Sequence, residues 1–145
     1  MNKYILIFLI TVVVVGGFLF VTNKNFFKNV PVNTEILGNK EDLISFSILP
    51  GSKVHGVMSY RGTVKGGYFF EANILVGITD ANKNMILQSN AHATSDWMTA
   101  DPVNFEGYID FSIIPKGPAY LEIHNDNASA LPENDKKILI PVIVE

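Results

Sequence analysis

From residue 43 to the end of the chain, apolar side chains recur at every second position in a succession of short runs. The strongest run is residues 68–80. Phe70, Ala72, Ile74, Val76 and Ile78 fall on one face of an extended strand; Phe69, Glu71, Asn73, Leu75, Gly77 and Thr79 fall on the other. Successive side chains of a strand point to opposite faces, so the pattern predicts one dry face and one mostly wet one. A helix would scatter the same apolar residues around its circumference. At about 3.3 Å per residue the run would reach roughly 40 Å. That is long for a globular domain, so a bend or bulge is expected near Gly77.

The neighbouring runs repeat the pattern. Residues 43–49 place Ile44, Phe46 and Ile48 inward against Ser45 and Ser47, and Pro50-Gly51-Ser52 ends them as a turn. Residues 54–64 form a second strand with Met58 and Tyr60 inward, Ser59 and Arg61 outward. Lys65-Gly66-Gly67 turns the chain into the long run, and the polar stretch from Asp80 to Asn84 closes that run as a hairpin. Residues 85–88 begin a return strand, and residues 91–102 read as a long connection or an edge piece. Residues 103–114 place Phe105, Gly107, Ile109, Phe111 and Ile113 inward and Glu106, Tyr108, Asp110 and Ser112 outward. After the Pro115–Pro118 turn, Ala119, Leu121 and Ile123 face in and Tyr120, Glu122 and His124 face out. A polar loop at 125–135 leads to Ile138, Ile140, Val142 and Val144. Pro141 has no backbone donor, so this last strand is expected at an edge or at a bulge. Short strands, frequent turns and no convincing helix predict an all-β domain over residues 43–145. Its expected form is an antiparallel two-sheet sandwich of about seven strands, with a closed barrel as the second choice.

The N-terminus follows a different rule. Residues 4–21 are apolar and uncharged, with Thr11 the clearest polar interruption. As a helix they span about 27 Å, close to the hydrocarbon thickness of a bilayer. A secretory signal peptide and an uncleaved signal-anchor both fit. The length of the run and the lack of an Ala-x-Ala site after it favour a transmembrane anchor over residues 1–21. Residues 22–42 hold no period and read as a tether, with Phe26-Phe27 suited to the membrane interface. The preferred orientation puts the N-terminus inside and the domain on the extracytoplasmic side.

Charge and composition narrow the functional classes. The chain carries 11 Lys+Arg and 14 Asp+Glu, a formal net charge of −3. Lys3, Lys24 and Lys28 all precede Asn29 and no acid does; the remainder holds 8 basic against 14 acidic residues, a net of −6. Nucleic acid demands a basic face, so no nucleic-acid partner is expected. There is no cysteine, hence no disulfide, no thiolate nucleophile and no Cys-based zinc site.

The remaining candidate residues assemble no recognisable chemistry. His55, His92 and His124 are scattered, with no metal-ligand spacing. The stretch beginning at Asp80 opens like a calcium loop, but Met85 stands where the glycine belongs and Ala91 where the glutamate belongs. The 125–135 loop gathers carboxylates and amides that serve as turn formers or, less simply, as calcium ligands. It also contains the glycosylation-type triplet Asn127-Ala128-Ser129. Glu71 is expected on the outer face of the long strand, solvated or beside Arg61 or Lys65. Glu106 and Asp110 are the nearest other carboxylates by pattern, and nothing in the sequence brings them to Glu71. Trp97, the only tryptophan, reads as a plug capping the sandwich or as an aromatic binding platform. Tyr108 and Tyr120 are two outward aromatics that could share a patch.

Several landmarks together carry a resemblance. They are Pro50-Gly51-Ser52, Tyr60-Arg61-Gly62-Thr63, Phe70-Glu71-Ala72, Thr79-Asp80, Trp97-Met98 and Phe105-Glu106-Gly107. They continue with the Asn125-Asp126-Asn127-Ala128-Ser129 loop, the stretch from Leu131-Pro132 to Asp135, and Ile140-Pro141-Val142. In this order, from Ile44 to Val144, the segment resembles the immunoglobulin-like domain of bacterial spore germination proteins, the Gmad type. It departs from that pattern at His55-Gly56 and at Ala130, where the family commonly has a Ser-Pro-like turn and a glycine. The resemblance implies an extracytoplasmic immunoglobulin-like sandwich with no established catalytic residues. The expectation is therefore a membrane-tethered, non-enzymatic module that binds another protein of the bacterial cell envelope. A module for cell-wall glycan, using Trp97 or the tyrosines, is the alternative. No catalytic, cofactor-binding or metal residue is assigned, no cofactor is expected, and the ligand stays open.

Overall fold

A computed structural model describes residues 34–145. The expected anchor and most of the tether lie outside those residues. Nine strands follow in order: β1 (Leu37–Gly38), β2 (Leu43–Phe46), β3 (Ser52–Val54), β4 (Val57–Val64), β5 (Asn73–Asp80), β6 (Met85–Ala93), β7 (Val103–Asp110), β8 (Gly117–His124) and β9 (Lys137–Val144). Three single 3-10 turns punctuate them, and no helix among the described residues is long and apolar enough to cross a membrane.

Hydrogen bonding runs through one curled sheet in the order β1-β9-β8-β5-β6-β7-β4-β2, with β3 beside β9. The pairings are antiparallel except β3 with β9, which is parallel. The sheet folds over where β6 passes to β7, because those strands pair only through His92–Glu106 and Ala93–Phe105. One layer is thus β3/β1-β9-β8-β5-β6, and the other is β7-β4-β2. The expected sandwich is present in outline, with nine strands and one continuous path in place of about seven strands and two separate sheets.

The core between the layers is the alternation made physical. Ile74, Val76 and Ile78 of β5, Leu121 and Ile123 of β8, and Ile140 and Val142 of β9 meet Tyr60, Phe105 and Ile109 from the other layer. Each fully buried aliphatic side chain of this size contributes about 1.5–3 kcal/mol before the entropy of ordering it is subtracted. Phe46, Tyr60 and Phe105 form an aromatic group with ring centroids 5.5 to 6.4 Å apart.

Several expectations are corrected. The 68–80 run is not one strand. Phe70 and Asn73 exchange backbone bonds of 3.0 and 2.9 Å around Glu71 and Ala72, whose φ angles are 48° and 62°. This tight reversal leaves Phe70 exposed and starts β5 at Asn73. The irregularity expected near Gly77 is found one step on, as a register slip between Ile78 and Thr79 opposite Ile86. In β2 the register slips between Leu43 and Ser45. The bulge turns Ile44 outward, 55% exposed, and Leu43 packs against the core in its place. The strand after Pro50-Gly51-Ser52 is broken at His55-Gly56, with Gly56 at φ 58°, into β3 and β4. β6 continues through Ala93, three residues into the stretch read as a connection or an edge piece, and no strand follows until Val103. β7 ends at Asp110, whose carboxylate accepts the Ser112 N–H at 2.9 Å and caps a 3-10 turn that leaves Ile113 exposed.

Pro141 is neither at an edge nor at a bulge. β9 has β8 on one side, and β1 then β3 on the other. The Pro141 carbonyl accepts the Gly51 N–H at 2.7 Å, on the β3 side. In a strand the N and C=O of one residue point the same way, so the missing donor faces the gap between β1 and β3. The last residues of the expected tether also belong to the domain: β1 lies on β9, and Asn39 N–H donates to Lys137 O at 2.8 Å.

Candidate functional site

The outer face of β7-β4-β2 carries a depression of about 540 Å³, open to solvent. Cross-strand register builds it in rows. Ser45, Thr63 and Asn104 align across the three strands. Their side chains form a chain of bonds: Ser45 Oγ donates to Thr63 Oγ1 at 3.1 Å, and Thr63 Oγ1 donates to Asn104 Oδ1 at 2.8 Å. Two residues along, Arg61 lies opposite Glu106, with Nε 3.3 Å from Oε2. The Arg61 N–H donates to Ser47 Oγ at 3.0 Å, and His92 stands across from Glu106 on β6. One row further, Ser59 pairs with Tyr108, whose ring is 68% exposed.

The floor between the first two rows is backbone at Gly62. A Cβ there would lie 2.4 Å from Phe105 Cζ and 2.8 Å from Phe46 Cδ2. Glycine thus lets both rings press up beneath the groove from the core side. The Arg61–Glu106 pair is solvent-exposed, so it orients groups more than it stabilises the fold. The face offers hydroxyl, amide, guanidinium and carboxylate groups beside one open aromatic ring. That set can hydrogen-bond a polar surface. A second, apolar depression of about 230 Å³ lies along the seam between β2 and β9, lined by Ile36, Ile44, Leu49 and Ile140 among others.

The residues singled out in the sequence are dispersed. His55 is exposed at the β3–β4 break, His92 is on β6, and His124 Nε2 is 4.0 Å from Asp135 Oδ1 at the end of β8. Among the described residues no three His, Asp or Glu gather to hold a metal. Asp80 turns both carboxylate oxygens into its own hairpin: Oδ1 accepts from Asn82 N at 2.8 Å and Asn84 N at 2.9 Å, and Oδ2 from Asn84 Nδ2 at 2.9 Å. The Asn84 bonds hold its carboxyl below the usual range. In the 125–135 loop, Asn127 Nδ2 donates to Leu131 O at 2.8 Å and Asp135 Oδ1 at 2.6 Å. The loop thus satisfies itself, and the amide nitrogen of the glycosylation-type triplet is engaged.

Glu71 sits in the reversal before β5 and pairs with neither expected cation. Arg61 meets Glu106, and Lys65 Nζ lies 3.0 Å from Asp42 Oδ1. Trp97 is half-buried in the β6–β7 loop, outside the main core cluster. Tyr108 and Tyr120 lie on β7 and β8, in opposite layers, and share no patch. The sequence reading missed Ser45, Ser47, Thr63 and Asn104 as a set. Each looked like an ordinary wet position, and only register brings them together.

No family model, no curated protein and no solved structure matches this chain.

Proposed function

We propose that residues 34–145 form an immunoglobulin-like module of the bacterial cell envelope, held at the membrane by the apolar N-terminal run, that binds another envelope protein. The strand order supports the immunoglobulin-like part. The layer β2-β4-β7 follows the A-B-E order of such folds, and β9-β8-β5-β6 follows G-F-C with one further strand. The resemblance to the Gmad-type domain implies the same arrangement. The binding reading rests on the outer face of β7 and β4, where exposed Tyr108 lies one row from Arg61 and exposed Val57 one row further on. Tyrosine and arginine are the side chains that most often dominate protein interfaces. The test is photocrosslinking from position 108 of the full chain in its native membrane. A discrete protein adduct, lost on Arg61→Ala, is the expected result. Recovery of nothing but lipid and the chain itself would refute the reading.

A second reading, binding of wall glycan, is favoured by the groove itself. Its hydroxyl and amide row lies two rows along the same face from the exposed Tyr108 ring, with Arg61 and Glu106 between them, so that hydrogen-bonding groups and a ring suited to stacking on a sugar share one face. Cosedimentation with purified wall material that disappears on Tyr108→Ala, with the fold intact, selects this reading over the first.

A further inference from the structure

Exposed positions alternate with buried ones along β4 and β7, so their polar side chains stand in register on one face. Asn104, Glu106 and Tyr108 of β7 lie opposite Thr63, Arg61 and Ser59 of β4, row by row. The depression is lined through the Asn104 and Glu106 rows, and the Tyr108 ring stands one row past them. β2 runs beside β4 no further than Ser47, which bonds to Arg61. The face is therefore three strands wide at the Asn104 row and two at the Tyr108 row, and it leads from a groove to an open ring.

Length and charge narrow what fits there. The step from Asn104 to Tyr108 covers about 13 Å of strand, the length of about three linked pyranose rings. The charges in the middle of that span cancel, because Arg61 Nε lies 3.3 Å from Glu106 Oε2. From Asn29 onward the chain carries 14 acids against 8 bases. That excess repels an anionic polymer and leaves a neutral one undisturbed.

We infer that this face takes a neutral, linear oligosaccharide of about three units, lying along β4 and β7. The inference rests on the glycan reading and adds the ligand's length, direction and charge. At one end the sugar meets Ser45, Thr63 and Asn104, whose hydroxyl and amide groups both donate and accept, as sugar hydroxyls do. In the middle, Arg61 offers donors and Glu106 acceptors. At the far end the apolar side of a ring stacks on Tyr108, which is exposed enough to receive it.

Calorimetric titration of the full chain in detergent micelles tests each part. The probes are chitobiose, chitotriose and chitopentaose, which are neutral, and sulfated chitotriose, an anionic form of the same chain. Affinity is expected to rise from chitobiose to chitotriose and to stay level at chitopentaose. Sulfated chitotriose should bind more weakly than chitotriose, with the gap widening at low salt. Tyr108→Ala should weaken chitotriose binding about tenfold and erase its advantage over chitobiose, and Tyr108→Phe should restore it. Matching melting transitions keep the comparison on the contact. Binding that is indifferent to length, to charge or to the ring at position 108 overturns the inference and leaves the glycan reading standing. Failure of every oligomer to bind overturns it as well, and absence of cosedimentation with wall material then decides against the glycan reading too.

Discussion

Tyr60 is buried between the layers with a hydroxyl that has no hydrogen-bond partner. A buried, unsatisfied hydroxyl is a net cost, so Tyr60→Phe should raise stability by up to about 1 kcal/mol, read as a higher urea midpoint at unchanged slope. Burial also keeps this phenol protonated far above the usual tyrosine range. Tyr68 is raised in the same way, by burial first and then by the Asp42 carboxylate, to which its hydroxyl donates at 3.2 Å. The consequence for pH has a definite sign. Unfolded tyrosines ionise near pH 10, while these two keep their protons in the fold. Above that pH the unfolded state binds fewer protons, so stability falls as pH rises and is untouched below. Urea midpoints should stay level up to about pH 9 and drop steeply beyond about pH 10, less steeply in Tyr60→Phe.

At the scale of elements, the Phe70–Asn73 reversal shows how a turn escapes sequence reading. Positive φ at both central residues is the mark of the hairpin turns that favour Asn-Gly. Here Glu71 and Ala72 occupy those places, at φ 48° and 62°. Left-handed backbone costs an ordinary residue roughly 1 kcal/mol. Glu71→Asn with Ala72→Gly should therefore stabilise the domain by about 1 kcal/mol, visible as a rise in melting temperature. An unchanged or lower melting temperature would mean that the reversal carries no such strain. Alternation ran through this turn because Phe70 and Ala72 happened to keep the period. Ile44 misled for the opposite reason: the period was real, and a bulge shifted its phase. Ala130, where the resembling family commonly has glycine, also holds a positive φ of 54°.

At the scale of the molecule, the boundary of the domain falls earlier than the apolar pattern implied. Among the described residues, packing reaches back to β1, which lies on β9. Asn39 exchanges bonds with Lys137, and Asp42 holds both Lys65 and Tyr68. A fragment starting at residue 33 should unfold cooperatively. One starting at residue 43 should lose roughly 3 kcal/mol, counting about 1 kcal/mol net for each buried or half-buried bond removed. Denaturant unfolding of the two fragments measures the difference, and equal midpoints would return residues 36–42 to the tether. The candidate site belongs to this scale too. Arg61, Glu106 and Tyr108 were legible as outward residues of their own strands. That they share one face with Ser45, Thr63 and Asn104 depends on how β2, β4 and β7 line up.

The sequence by itself determined which segments are extended for β4, β5, β7, β8 and β9, and which face is dry for β4 and β7. In β5, β8 and β9 the faces expected to be wet are also covered, with Thr79, Glu122 and Leu139 buried. Those strands lie inside the sheet, and neighbouring segments cover their second face. Only the tertiary structure decided who pairs with whom. It kept the polar half of β6 in the sheet, where no apolar signal marks Gln88 to His92. It placed Pro141 inside the sheet at the seam between β1 and β3, assembled the groove, and left one side of β6 open. Backbone N–H and C=O groups are the same in every residue, so the bonds that choose partners leave little trace in side-chain order.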